Sequence, residues 1–377
     1  MRPPPLPVAF VAFGAVWGAW QAAVPDLAAH YDLSSGPLGI VLTVAFAVSL
    51  PAMLLTGRLT DRVGAGWAIG LGAAAMAIGL LAVGTLPGLP LLVVAVVLFV
   101  TGSGSYDVAI NGAAMGSGRW SGAASLTLLH AGFSGGGALG AIAAGALLGA
   151  GMPFALVYPA AAIGLAVAAL IVVPAGWRPP SAGTGRVPRA IVLAVLPLAA
   201  LAGLAFFIEG SMESWSAIYL RDVLGAAAFV GALGPAAFHA AMFAGRLVGA
   251  AVASRLGGAT TVLVAGSLIA AGMGVALLVS SPPPAVAGMA VAALGASFVV
   301  PVVVSLAAVR AGPHAGRAAS YVLTLGYAGF LIGPSLIGIV GEVAGLRVAL
   351  AVVPLAATVI AIASRTSAVA GEPTTER

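Results

Sequence analysis

The sequence contains no cysteine and no lysine among its 377 residues. Without cysteine, neither a disulfide framework nor a thiolate metal site can form. Without lysine, there is no G-x-x-x-x-G-K-[ST] phosphate-binding loop, so we expect no ATP-driven activity from this chain alone. No metal-binding constellation or catalytic triad is visible, and we expect neither a cofactor nor an enzymatic activity.

Charged residues are also scarce. They make up 7% of the chain, and 61% of the residues are hydrophobic, whereas a soluble domain carries roughly 25% charged residues. A spanning helix needs about 20 apolar residues, so the chain has room for about twelve spans and short loops. The composition therefore predicts an all-α membrane protein with membrane lipid as its surroundings.

Apolar runs separated by polar or Gly/Pro-containing breaks predict the individual spans. We place them at 7–29, 38–56, 67–86, 90–115, 122–150, 154–173, 190–219, 227–251, 260–280, 285–308, 319–340 and 347–364. The N-terminal apolar run has no small-residue cleavage site and is predicted to be a retained first helix.

The net charge of +5 comes from arginines in the short loops. With a cytoplasmic N-terminus, only Arg221 and Arg347 would lie outside. This bias predicts a multi-pass inner-membrane protein with both termini cytoplasmic. The basic charge therefore reflects the orientation of the protein in the membrane, and we expect no nucleic-acid partner.

A break rich in Pro, Gly and Ser lies between the sixth and seventh spans. It predicts an N-terminal six-helix bundle at 1–173, a cytoplasmic linker at 174–189, and a C-terminal six-helix bundle with a short tail at 190–377. The tripeptide at Gly57 recurs at Gly245, 188 positions later (245 − 57). Two pseudo-symmetric halves of this kind are an architecture of secondary transporters.

The segment from Gly57 to Gly64, with Asp61 and Arg62 inside it, resembles the signature G-x-L-x-D-R-x-G of the major facilitator superfamily. That resemblance implies the major facilitator fold and a gate in which Asp61 bonds the N-terminus of helix eleven and a nearby arginine. The gating residues it suggests are Gly57, Asp61, Arg62, Arg119, Gly245, Arg246 and Arg317. The family usually has two basic residues where this chain has Ala65 and Gly66, and the loop could instead be only a positively charged anchor.

Four further stretches resemble the fucose-permease-like group of bacterial permeases. They include Gly102, Gly104, Asp107 and Asn111; His130, Phe133, Ser134 and Gly136; Glu209, Glu213, Trp215 and Tyr219; and Gly326, Tyr327, Gly329, Phe330, Gly333 and Pro334. The resemblance implies a sugar or related metabolite as the substrate and a single chain as the working unit.

Ionisable residues within a span are costly and are functional candidates by default. Asp107 and His130 are predicted at similar depth, where they could share a proton. Glu209 and Glu213 are one turn apart on one helix face, where they cannot both ionise cheaply. We expect these four residues to carry protons. Asp107 could instead brace helix packing, and Glu213 could sit solvated at the outer mouth with Arg221 and Asp222.

Aromatic and amide side chains are the candidates for contact with a polar organic solute. The candidate substrate-binding residues are Trp17, Gln21, Asn111, Trp215, His239 and Tyr327. Trp20 and Trp215 could instead be interfacial belt residues, and His239 could bond a helix carbonyl.

These features predict a secondary transporter that works by alternating access, with proton symport as the leading hypothesis. Proton-coupled efflux is the competing hypothesis within transporters, although the chain lacks the helix-four arginine and the helix-five Gly-Pro element of exporters. A channel or a non-transporting membrane sensor is also compatible with the composition and the number of spans.

Overall fold

The computed structural model describes residues 5–117, 120, 123–175, 188–366 and 369; of residues 61, 63, 123 and 175 only the backbone is described. The described residues form fourteen α-helices and no strand. The helices are α1 (Leu6–His30), α2 (Ser35–Val63), α3 (Ala65–Thr85), α4 (Leu89–Gly116), α5 (Ala123–Gly149), α6 (Phe154–Val172), α7 (Arg189–Ile218), α8 (Ala228–Leu256), α9 (Gly258–Leu278), α10 (Pro282–Ala311), α11 (Ala315–Gly326), α12 (Ala328–Ala344), α13 (Leu346–Leu350) and α14 (Val352–Ala363). α7 continues through a π-helical turn, Tyr219–Val223.

Eleven continuous segments of the described chain are long and apolar enough to cross a membrane. The longest, Pro282–Ala344, has 63 residues, or about 95 Å of helix at 1.5 Å per residue. That is roughly three times the thickness of the hydrocarbon core. The helix ends at Gly312, whose φ of 51° combined with a ψ of −117° favours glycine, so this segment holds two spans and the described part of the chain has twelve.

The eleventh and twelfth spans are each broken into two helices. α11 and α12 meet at Tyr327, and α13 and α14 meet at Ala351. We call the side of the molecule where α1 begins the terminal face, and the side that carries loops 31–34, 86–88, 150–153, 224–227 and 279–281 the distal face.

Over most of their length, the two six-helix halves repeat at an offset of 193 positions. α2 ends just before Gly64 and α8 just before Gly257, both with positive φ, and these glycines are 193 positions apart (257 − 64). Close helix contacts repeat at the same offset: a methyl group at Gly79 would lie 2.5 Å from the backbone nitrogen of Phe99, and one at Gly272 would lie 2.6 Å from that of Ala292.

This register corrects the repeat predicted from the sequence. Gly245 and Arg246 are not the counterparts of Gly57 and Arg58, because Arg58 is five positions from the end of α2 and Arg246 is ten from the end of α8. A side chain at Gly57 would meet open space, whereas a methyl group at Gly245 would overlap Ser297 of α10. The true counterpart of Arg62 is Arg255.

Most predicted spans match the helices within a few residues. The main errors are in the second and eighth spans, which extend to Val63 and Leu256 where the sequence predicted 56 and 251. Both helices continue past their apolar stretch into the polar, arginine-bearing turn. The predicted linker lies largely outside the described residues.

Candidate functional site

The halves are held together at the distal face by polar contacts. The carboxylate of Glu342, near the end of α12, accepts hydrogen bonds from the backbone nitrogen of Gly36 at 2.7 Å and from the hydroxyls of Ser34 and Ser35 at 3.0 and 3.3 Å. These donors belong to the first turn of α2, where a helix favours negative charge. One turn deeper along both helices, Gly39 and Gly338 bring the two backbones into contact.

Two further pairs join the halves on this side. Thr43 of α2 contacts the hydroxyl of Ser335 on α12, and Asp26 of α1 forms an ion pair with Arg221. The latter pairing corrects the hypothesis that placed Arg221 beside Glu213. On the terminal side, by contrast, the described residues of α2 do not pack extensively against α11, nor those of α4 against α10.

A small cavity lies between the halves beneath this closure. Its volume is about 20 Å³, room for about one water molecule and far too little for an organic solute. Its lining includes Trp17, Trp20, Gln21, Phe46, Glu213 and Phe330. Of the predicted substrate-binding and proton-carrying residues, Trp17, Gln21 and Glu213 therefore meet here.

Trp17 and Gln21 are one turn apart on α1, and each is positioned by another helix. The indole of Trp17 donates to the hydroxyl of Ser103 at 2.9 Å and stacks on Phe46. The amide oxygen of Gln21 lies 2.9 Å from Nε2 of His239, which makes a direct bond between the halves. The amide nitrogen of Gln21 is buried without a partner in the described structure, so the cavity wall holds an unused donor.

Among the described residues, His239 bonds Gln21 and no helix carbonyl, and it is not part of the lining of this cavity. It is 1% exposed and packs against Gly137 of α5, where a methyl group would lie 2.6 Å from its ring. It supports Gln21 and is not itself exposed to a solute.

The interfacial position considered for two tryptophans is wrong. Trp20 is 3% exposed and stacks on Tyr158. Trp215 is fully buried, with its indole nitrogen unpaired in the described structure, and it lies beside Gly338. Neither residue faces lipid.

Arg246 joins α8 to α5 at a position ten residues before the end of α8. Its Nη1 donates to the backbone oxygen of His130 at 2.9 Å and to the hydroxyl of Ser134. Its guanidinium also interacts electrostatically with Glu209 and Glu213 on α7. The sequence placed Arg246 in a cytoplasmic gate, and the structure places it among the candidate proton carriers.

The four candidate proton carriers have different surroundings. Glu209 is 5% exposed, and Glu213 is half-buried at the cavity. Asp107 accepts a hydrogen bond from the amide of Asn111 at 2.9 Å, so Asn111 is a partner of Asp107. The His130 ring packs edge-on against Phe10, and no hydrogen bond joins it to Asp107 in the described residues.

The remaining predicted residues lie toward the terminal face. Tyr327, at the break between α11 and α12, stacks on Phe206 and is 36% exposed. Arg62 is exposed and Arg317 half-buried. The side chain of Asp61 and all of Arg119 lie outside the described residues, so the gate that the resemblance implies stays a prediction.

Several contacts were not predicted from the sequence, and three of them involve charged residues: the bonds from the start of α2 to the carboxylate of Glu342, the Asp26–Arg221 pair, and the anchoring of Arg246. The signal available for each of these three was a charged residue within or beside an apolar run. Its partner is far along the chain, so only the packing of the helices reveals it.

The family model of the Major Facilitator Superfamily matches residues 6–334. An uncharacterised MFS-type transporter of Yersinia pestis is 32% identical over 366 residues, which cover 95% of this chain and 94% of that protein. The membrane protein MosC of Rhizobium meliloti is 30% identical, covering 95% of this chain and 88% of MosC.

Solved structures of low identity share the fold. The nucleoside transporter NupG matches with a TM-score of 0.77 at 13% identity, over 95% of this chain and 98% of that one. A bacterial homologue of the human lysosomal transporter Spinster, inward-facing and unoccupied, matches with a TM-score of 0.77 at 16% identity. The match covers 99% of this chain and 98% of that one. With a family model spanning most of its length and relatives at 30% identity or more over nearly all of it, the chain belongs to the Major Facilitator Superfamily of membrane transporters.

Proposed function

We propose that this transporter is a proton-coupled symporter that imports a small polar organic solute, a sugar or related metabolite, by alternating access. The observation that carries the proposal is the group of ionisable side chains on neighbouring helices: Glu209 and Glu213, one turn apart on α7, and Arg246 of α8, which is hydrogen-bonded to α5 of the other half.

Proton binding follows from the cost of charge in the bilayer. An ionisable side chain at this depth is expensive unless it is paired or faces water. Two carboxyl groups one turn apart in a mostly dry site cannot both be ionised cheaply, and a single guanidinium can offset only one of them. At least one glutamate therefore holds a proton in the resting protein and can release it when water reaches the site.

Solute binding is supported by the cavity lining. Trp17 offers an aromatic face and Gln21 an unpaired amide donor, a combination suited to a polar organic molecule. Because the cavity now holds about one water, we propose that solute enters as the halves move apart.

Orientation follows from the arginines. The described arginines at the terminal face are Arg58, Arg62, Arg189, Arg255, Arg310, Arg317 and Arg365, and those at the distal face are Arg221 and Arg347. Under the positive-inside rule, we place the terminal face in the cytoplasm and the protein in the inner membrane. The distal closure then makes this an inward-facing state. The proposal needs one chain, no cofactor and no enzymatic step.

The test uses purified protein in liposomes with a pH-sensitive dye on each side and a panel of metabolites added outside. Symport predicts that an accepted solute makes the outer solution more alkaline, and that empty liposomes show no change. Acidification of the outer solution would replace import by efflux antiport. Solute uptake without any proton movement would contradict proton coupling, and binding without uptake would favour a sensor.

A further inference from the structure

Arg246 is a cation within a candidate membrane-spanning helix, Ala228–Leu256, and its bonding capacity is only partly used. A guanidinium has five N–H donors, yet in the described structure only Nη1 makes hydrogen bonds, to the His130 oxygen and the Ser134 hydroxyl. Both acceptors are neutral. No described carboxylate lies within the 4.0 Å of an ion pair with Arg246, although the Asp26–Arg221 pair meets that criterion.

The anchor fixes where this charge lies. Ser134 is 1% exposed and sits one helical turn from His130 on α5, so both acceptors hold the same guanidinium nitrogen. The other two nitrogens make no hydrogen bond in the described structure, and Arg246 itself is half-buried. A planar fork with free donors is suited to bidentate binding of a carboxylate.

Charge balance then depends on Glu209 and Glu213. When both hold protons, as the loaded state of the proposed symporter requires, Arg246 has no counter-charge in the described cluster. An unpaired cation removed from water is strongly disfavoured.

We infer that the transported solute is a small organic acid whose carboxylate binds Arg246 while the glutamates are protonated. This inference rests on the proposed function and narrows its substrate class. On release, the solute anion and the proton leave to the same side, and an ionised glutamate replaces the solute as the counter-charge of Arg246. Solute and ionised glutamate thus exclude each other, which couples the two movements.

Other titratable groups face Arg246 as well. They are His130 on α5, His239 on α8 and Tyr327 at the α11–α12 break. Asp107 on α4 interacts with Tyr327. The His130 ring is packed on Phe10 and His239 is bonded to Gln21, so the two glutamates are the groups free to exchange with a solute carboxylate.

The experiment compares matched acid and neutral solutes, such as D-glucuronate with D-glucose, and aldonates with the corresponding alditols. Binding is measured on the purified full chain without a proton gradient, by thermal stabilisation and by quenching of tryptophan fluorescence. At least one acid should bind tenfold or more tightly than its neutral partner. Its affinity should rise as the pH falls, and a Glu209→Gln/Glu213→Gln variant should lose that pH dependence.

Arg246→Gln should weaken binding of the acid at least tenfold, and Arg246→Lys should recover part of it. Arg255→Gln, at the exposed end of the same helix, is the matched control and should bind normally. If Arg246→Gln does not fold, Ser134→Ala, which frees the guanidinium from its anchor, should still weaken binding severalfold.

The two proposals fail in different ways. A neutral solute that drives proton movement and binds Arg246→Gln as tightly as the unaltered protein would overturn the organic-acid inference and leave proton symport standing. An acid that binds through Arg246 without moving protons would overturn symport alone. Failure of every acid in the panel to bind would count against the inference.

Discussion

Asp107 and Glu209 provide the most direct residue-level test of proton coupling, since one lies in each half. We expect Asp107→Asn and Glu209→Gln to abolish gradient-driven accumulation, because an amide of the same size cannot exchange a proton. Solute counterflow, which needs no net proton movement, should persist in both variants. The measurement is uptake into liposomes with and without an imposed pH gradient.

Asp32→Asn is a suitable control for these variants. Asp32 is exposed in the distal loop after α1, with a φ of 52°, a conformation that asparagine also accepts. This variant should accumulate solute normally. Normal accumulation by both Asp107→Asn and Glu209→Gln would show that neither carboxyl group carries the coupled proton.

Which residues share a helix face could be predicted from the sequence, and which residues meet across helices could not. The Asp107–Asn111 bond follows from a spacing of four. The Gln21–His239 bond joins positions 218 apart and depends on how α1 packs against α8. Helix position alone also failed for Trp215, which is fully buried beside Gly338 of α12, where the sequence allowed a lipid-facing position.

Helices α1 and α5 pack at backbone distance. A methyl group at Gly136 would lie 2.0 Å from the backbone oxygen of Val11, and one at Gly140 would lie 2.0 Å from that of Ala15. Small residues allow this approach in membranes. Gly136→Ala should therefore destabilise the protein by about 1–3 kcal/mol, since a rigid backbone must move. The measurement is thermal unfolding in detergent.

Gly164→Ala on α6 is the matched control for Gly136→Ala. A side chain at Gly164 meets open space, so the unfolding temperature should be unchanged or slightly raised, because alanine is the better helix former. Equal stability of the two variants would mean that α1 and α5 are less tightly packed than described.

Helix existence was predictable because twenty-residue apolar runs can form little else in a chain of this composition. The interruptions within helices could not be predicted. The eleventh span was predicted as one helix at 319–340, and the interruption at Tyr327 lies inside an apolar sequence with glycines on both sides, Gly326 and Gly329. Glycines are so frequent here, 53 in all, that no single one marks a break.

Closure of the distal face can be tested on the whole molecule with a reversible cross-link. Thr43 and Ser335 contact each other across the halves, and their replacement by cysteine changes little in size. The Thr43→Cys/Ser335→Cys variant should lose transport when oxidised and regain it on reduction, because the distal side can no longer open. Counterflow in liposomes measures both states.

The absence of native cysteine makes the cross-link specific. Each single variant should be unaffected by oxidant and serves as the control. Full transport by the oxidised double variant, with its disulfide verified by mass spectrometry, would show that opening at α2 and α12 is not required for transport.

At the scale of the whole molecule, the division into two halves was predictable from the break near mid-chain, but their register was not. The tripeptide match gave an offset of 188 because glycine and leucine are common in this chain. The helix packing gives an offset of 193, and this offset relates two contacts at the distal face: Gly36 with Glu342 corresponds to Phe229 with Gly149. The two contacts therefore have equivalent backbone positions but different chemistry, since the first is polar and the second is apolar.

At Tyr327 the eleventh span is interrupted by one turn residue, whose φ of −57° and ψ of −19° remain helical and whose backbone nitrogen still donates to the oxygen of Leu323 at 2.9 Å. The distal part of the span contacts α2 through Ser335 and Thr43, and the terminal part, α11, is only twelve residues long. Because so small an irregularity leaves the span nearly continuous, we expect a tilt of α11 to be transmitted to the distal contact, so that narrowing of the proposed pathway on one side loosens it on the other.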